Sequence, residues 1–364
     1  VIVFNIVNAT APINVSNLAG NISSLVGTGV DVSAGTEGGQ TFNKYKLAAL
    51  DGGTMNIDVD VNKADGPTTV SGYYFQRFLG QRLKTNVNSN VTARLTTAQA
   101  DDLYKGQVVA IEANSSKNAS TNAETQVNIA AGKTIDVART DGTDKGGVGV
   151  FVNYGIVDNK GTISVEKDST ANSDGVGIYS ANGSEVTNEG TIDVSGKNGI
   201  GILGIAYRTD AAGSPKVNEF GGKPGEGKVT ILNKGKVTLN GEGATGIFAK
   251  NNKAGSNATN ATATNDAAGI LTLSGNKSVG MSGEKSTLTN TGTINIQGQE
   301  STGMFAKDSS EMTNNGTINL VDSASADKPN IGMFTEDKNT VIHNNKDIIC
   351  LLYTSDAADE RSSV

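Results

Sequence analysis

The stretch Val176-Gly-Ile178, Asn188-Glu-Gly-Thr-Ile-Asp-Val194, Ile200-Gly-Ile202 decides the fold, because it is then said again. The restatement is Asn233-Lys-Gly-Lys-Val-Thr-Leu239 followed by Thr245-Gly-Ile247. Each unit holds two short apolar runs, one after a glycine and one after an Asn-x-Gly turn. Apolar residues alternate in both, and a period of two means a strand with one buried face.

Outward from this stretch the unit recurs through most of the C-terminal part. Asn-x-Gly stands at Asn159/Gly161, Asn188/Gly190, Asn233/Gly235, Asn290/Gly292 and Asn314/Gly316, and fades at Asn344/Lys346. The companion strand is marked by Gly149, Gly177, Gly201, Gly246, Gly280, Gly303 and Gly332, with spacings from 23 to 45 residues. Repeats of that length signal a solenoid. A coil at the short end of the range suits three strands around a triangular core. The expected fold is therefore all-β: a right-handed parallel β-helix, with a small excursion carrying a short helix.

A solenoid explains how such short strands are stable. Each pairs with its copies above and below, so every backbone group is hydrogen-bonded. The pattern predicts two inward columns. One holds Ile163, Ile192, Val237, Ile294 and Ile318; the other holds Val165, Val194, Leu239, Ile296 and Leu320. The turn asparagines are expected to bond from coil to coil, and the following glycines to permit positive φ. About a dozen coils spaced about 4.8 Å apart make a rod on the order of 60 Å long.

Composition agrees. Glycine is 46 of 364 residues, proline only 5, and tryptophan is absent, which fits many tight polar turns rather than a linker. The net charge of −7 disfavours nucleic-acid binding. No run approaches the length of a membrane helix. The chain opens on Val, and Val1–Val7 reads as a strand fragment of a longer protein.

Three regions follow. Residues 1–106 read as irregular early coils. Within them, 72–106 concentrates Tyr73, Tyr74, Phe75, Phe78 and Tyr104 with Arg77, Arg82, Lys84 and Arg94, and reads as an excursion lying against the solenoid. Thr96-Thr-Ala-Gln99 predicts a short capped helix at about 97–105. Residues 107–348 read as regular coils. At Cys350 the repeat stops, and 350–364 reads as the translation of a sequencing adapter, outside the natural protein. The single cysteine lies there, so neither disulfides nor thiolate metal sites are expected.

Two long insertions, Ala206–Gly227 and Lys250–Asp266, occupy the same slot between the Gly-x-Ile strand and the Asn turn, so stacking brings them to one edge. A second set, Glu166–Asp174 and Val321–Pro329, projects from another edge. Insertions gathered on one side often mark a binding face. Tyr207, Arg208 and Phe220 are the candidate partner-binding residues there, being of the types enriched at hot spots.

Catalytic signals are sparse. The one histidine, His343, sits where the repeat decays. Gly146-Gly-Val-Gly149 is a coil turn without dinucleotide-binding context. Asp141-Gly-Thr-Asp144 reads as a plain turn rather than a calcium site, and the acids are scattered at turns and outward positions. The expectation is a non-enzymatic protein without cofactor or metal.

The phrases Asn314-Asn-Gly-Thr-Ile318 and Gly303-Met-Phe305, with their copies, resemble passenger domains of type V autotransporters, most like those of large Fusobacterium and Leptotrichia outer-membrane proteins. The resemblance covers 107–348 well and 1–106 less well. It implies secretion through an outer-membrane barrel absent from this stretch and display at the cell surface. It also implies an adhesin, or adhesin stalk, for a host-cell or bacterial surface protein or glycan. The competing expectation is a glycan-active β-helix enzyme, a lyase, hydrolase or phage tailspike-like protein.

Overall fold

Alternation along each unit closes into three faces. The computed structural model describes residues 13–14, 30–37, 40–47, 54–57, 61–64, 78–81, 84–95, 108–114, 125–139, 146–167, 174–208, 227–253, 255, 258–321 and 329–351. Three parallel sheets of eleven, ten and nine strands wind as a right-handed β-helix, each strand pairing with its copy in the next coil. The first sheet runs from Ile13–Asn14 to Val341–Asn344, the second from Val61–Ala64 to Ile348–Leu351, and the third from Phe78–Gln81 to Ile331–Thr335.

Both expected columns lie in the second sheet. Ile135, Ile163, Ile192, Val237, Leu271, Ile294 and Ile318 stack in register. All seven are fully buried. Each such side chain contributes roughly 1.5–3 kcal/mol. Leu271 and Leu273 join these columns although the Asn-x-Gly signal before them is degenerate.

The first sheet supplies the third strand of each coil. It ends on the turn asparagine, as in Ser184–Asn188 and Val229–Asn233. From Asn159 to Asn314 these asparagines point inward and are fully buried, and their amides form a continuous ladder that ends on the exposed Asn344. Nδ2 of Asn159 donates to Oδ1 of Asn188 at 2.7 Å. The step repeats through Asn233, Asn265, Asn290, Asn314 and Asn344 at 2.7–2.9 Å.

The turn glycines serve close approach, not positive φ. A Cβ on Gly190 would strike the carbonyl oxygen of Gly161 in the preceding coil, and one on Gly235 that of Gly190. Positive φ falls instead at Gly132, Gly183, Gly196, Gly243 and Gly255.

Three boundaries differ from the sequence reading. Strands Phe78–Gln81, Lys84–Val87 and Val91–Leu95 belong to the third, first and second sheets, so this part of 72–106 is a coil and not an excursion. Its inward Val87, Val91 and Ala93 keep the period, while the outward Arg94 pairs with Asp136 at 2.9 Å. Thr54–Ile57 and Val61–Ala64 carry the coils further back. The antiparallel pair Val30–Glu37 and Gln40–Leu47 stands apart from the three sheets. The helix expected at 97–105 lies outside the described residues; among those described, the only helix is a 3-10 turn at Ala258–Asn260. At the other end Ile348–Leu351 pairs with the second sheet, taking Cys350 into the last coil; 352–364 lie outside the described residues.

Candidate functional site

The edge where the third sheet turns into the first is the slot that the insertions share. The chain rounds it through left-handed residues at Asn182, Tyr207, Lys285, Asp308 and Ser309. Hydroxyls brace the turns. Ser310 Oγ accepts from the Ser286 amide at 2.9 Å, and Thr340 Oγ1 accepts from the Ser310 amide at 3.2 Å.

The second insertion is shorter than it reads. Thr245–Asn251 and Ala261–Asn265 are regular strands of the third and first sheets, so the excursion is confined to residues 252–260. Ala261-Thr-Ala-Thr-Asn265 alternates, but its inward alanines give too little hydrophobic contrast to announce a strand.

The three candidate residues take different places. Phe220 lies outside the described residues. Tyr207 packs partly buried against the core, with Lys253 Nζ 4.6 Å from its ring centre. Arg208 is 4 % exposed. Its amide donates to Asn182 Oδ1 at 2.7 Å, and its guanidinium lies 5.9 Å from the Phe151 ring and 5.4 Å from the Tyr179 ring. Arg208 thus closes an outer apolar layer instead of presenting its charge. Sequence alone does not show this, because those rings come from two other coils.

That layer sits on the outward side of the third sheet. Phe151 and Tyr179 meet edge-on at 5.1 Å, with Val109, Val148 and Val176 around them. Burial pushes the Tyr179 phenol up, against the opposing charge and hydrogen bond of Arg208. Every residue of Gly147–Asn153 and Val176–Ala181 is buried, so both faces of the sheet are covered here. Below it, the buried Glu166 carboxylate accepts the amides of Arg139 and Gly147 at 2.9 and 2.6 Å, joining the two strands on either side of 140–145. Asp141 and Asp144 themselves lie outside the described residues.

Further up, the same edge opens into a polar groove of about 530 Å3. It climbs four coils: Lys250 to Asn252, Glu284 with Lys285, Asp308 with Ser309, and Asp337 with Asn339. Its charges are largely compensated from within. Glu284 holds Lys250 at 2.6 Å and Lys307 at 3.2 Å. Burial works against this carboxylate, but the hydrogen bonds and charges of both lysines keep it below its ordinary range. Asp337 accepts the Thr340 hydroxyl at 2.7 Å and the amides of Asp308, Asn339 and Thr340, which lower its pKa.

Charges alternate at all three corners. Lys197, Glu242 and Lys277 ladder at 3.8 and 3.0 Å; Lys160, Glu189 and Lys234 at 3.9 and 3.8 Å. Among the described residues no group of three or more metal-ligating side chains converges. His343 pairs in register with Thr313 in the first sheet.

A repeating coil of this kind has a counterpart. The family of the BigA third pectate lyase-like domain matches residues 52–346, about four fifths of the chain. The chain belongs to that family. The match starts two residues before the Thr54–Ile57 strand, so the BigA-type domain takes in the early coils as well. No curated protein and no solved structure matches it.

Proposed function

We propose that this BigA-type β-helix is a surface-displayed, autotransporter-like passenger, acting as a non-enzymatic adhesin or the stalk of one. The observation that carries the reading is the third-to-first edge, where a polar groove climbs four coils of a repeating rod and where both long insertions leave and rejoin it. A scaffold whose inner layer is apolar in every coil is suited to holding an edge that differs from coil to coil away from a surface. Its partner is a host-cell or bacterial surface protein or glycan. Membrane attachment would come from a barrel elsewhere in the natural protein; among the described residues no helix is long and apolar enough to cross a bilayer.

The test is display of residues 1–364 on a non-adherent bacterium through a heterologous barrel. Attachment to host cells or partner bacteria is expected, and is expected to fall when 209–226 and 252–260 are replaced by tight turns. Loop length itself costs little stability. Equal attachment by intact and shortened rods, at equal display, removes this edge as the binding face.

One observation favours the enzymatic alternative. Asp136 and Asp193 face outward on the second sheet two coils apart, with Ser164 between them. That places their Cα atoms roughly 10 Å apart. Burial raises the Asp193 pKa, against a hydrogen bond from Thr238 and the charge of Lys167, while Arg94 pairs with Asp136. Two carboxylates in unlike settings are what glycoside hydrolysis uses. Reducing-end release from polygalacturonate or host glycans, abolished by Asp193→Asn, would establish it.

A further inference from the structure

We infer that the groove at the upper third-to-first edge binds a neutral, hydroxyl-rich oligosaccharide, with the Phe305–Phe334 pair as its apolar platform. The inference rests on the adhesin reading only in supplying it with a ligand class; the site is argued from its own chemistry.

The first argument is which groups are left to bind. Glu284 is committed to two lysines, and Asp337 to three amides and a hydroxyl. Lys285 Nζ donates to the Lys253 carbonyl at 3.3 Å. Among the described residues, the side-chain amides of Asn252 and Asn339, the hydroxyl of Ser309 and the carboxylate of Asp308 are the lining groups not tied up in a hydrogen bond or ion pair. An amide offers two donors and an acceptor, and a hydroxyl offers both functions, which matches the vicinal hydroxyls of a sugar.

The second argument is charge. The carboxylates of Glu284, Asp308 and Asp337 all border the groove, and the first and last are held in the ionised form by their partners. Against them stand the ammonium groups of Lys250 and Lys285 in the lining and Lys307 on Glu284, so the charges nearly cancel. A groove without an excess of either sign offers a polyuronate no net attraction, whereas a neutral chain needs none.

The third argument is the flank. Phe305 and Phe334 lie on the outward side of the third sheet, rings stacked 5.9 Å apart with planes at 22°. Phe305, with a coil on either side, is half-buried and keeps part of its ring accessible. Phe305 stands two residues before Lys307, on the same side of the strand and so about 7 Å from the charged column that walls the groove. Apolar surface beside uncommitted polar groups is the lining of a small-molecule site. It fits a pyranose, which has an apolar C–H face and a polar rim. Four coils at about 4.8 Å give a length of roughly 15 Å between the outermost, room for about three sugar rings.

The experiment is calorimetry of the intact chain with cellohexaose, chitohexaose, mannohexaose and hexagalacturonate. At least one neutral hexasaccharide is expected to bind saturably, with affinity changing less than about twofold between low and high salt. Phe305→Ala with Phe334→Ala should weaken it by about tenfold or more. Asn252→Ala with Asn339→Ala removes only side chains outside the core and should weaken it comparably without lowering the melting temperature. Absence of binding by all three neutral probes, binding of hexagalacturonate alone, or equal binding by wild type and both double variants overturns the proposal. Attachment of displayed cells is read in parallel. Attachment without sugar binding sinks this site and leaves the adhesin reading; sugar binding without attachment does the reverse.

Discussion

The outward side of the third sheet behaves as two different surfaces. Phe151, Tyr179, Leu203, Phe248, Ser282, Phe305 and Phe334 follow one another in register along one column. At the lower end Phe151 and Tyr179 are 0 % and 3 % exposed beneath Arg208; further up Phe248 and Phe305, each with a coil on either side, are only half-buried. Strand, register and chemistry are alike, so the difference comes from what lies over the sheet. The inner layer is common property of every coil. Individuality is written in the outer layer and at the corners.

The sharpest test concerns what the halves share. Ile163→Asp and Ile294→Asp place an unpaired charge in the same inner column, one in each half, and each should cost several kcal/mol. A thermal melt of either within about 1 °C of wild type would remove that residue from the core. Next comes the contrast itself. Phe151→Ala should cost about 3–5 kcal/mol, as for a buried phenylalanine, while Phe305→Ala, half-buried, should cost about half as much. Equal losses in denaturant titration would mean that the two ends do not differ. Arg208→Met keeps bulk but removes the cation, and should cost about 2 kcal/mol for a desolvated cation over rings. It should also let burial raise the Tyr179 pKa further, readable by NMR titration of that phenol. An unmoved Tyr179 would show that the guanidinium does not act on it.

The smallest effect belongs to the charged corners. Glu242, Glu284 and Asp337 have folded pKa values below their ordinary 4.5, 4.5 and 3.8. Their contribution is therefore present above those values and fades as pH falls through the folded ones. Lys277 and Lys307 are raised above 10.5, so theirs is present below 10.5 and lost as pH climbs through the folded values. Stability should sag gently at both extremes. Glu284→Gln should flatten the acid arm, and an unchanged arm would mean that the ladder does not contribute.

Much of the fold was legible because period two and the Asn and Gly punctuation are local signals. Ile163, Ile192 and Ile294 announce their column without any knowledge of neighbours. Ala261–Asn265 was hidden because alanine and threonine alternate too weakly, and 78–95 because its aromatic and basic residues stand out from the composition of the other coils, although only Arg94 is seen to lie outward. The turn glycines were recognised for the wrong reason: their need arises from the coil beneath, which no single coil states. Of the site, the shared edge was legible from the slot of the insertions. The burial of Arg208 and the internal pairing around Glu284 were not, since both join residues from different coils.

The buried asparagine ladder has a direction. From Asn159 to Asn344 each amide donates toward the C-terminal end. Backbone contacts fix this sense: Gly161 donates to Asn159 Oδ1, and Asn233 and Asn265 donate to the carbonyls of Gly235 and Gly269. Turning over one amide would set nitrogen against nitrogen on one side and oxygen against oxygen on the other, breaking two bonds at once. The orientation chosen at one end is thus handed along like a row of aligned compass needles, over about 29 Å at the usual strand spacing. Outside the core the sense reverses, for Asn128 donates to Asn86 and Asn86 to Asn56. A rod built from near-identical coils therefore has a head and a tail, inscribed in its interior by side chains that no partner touches.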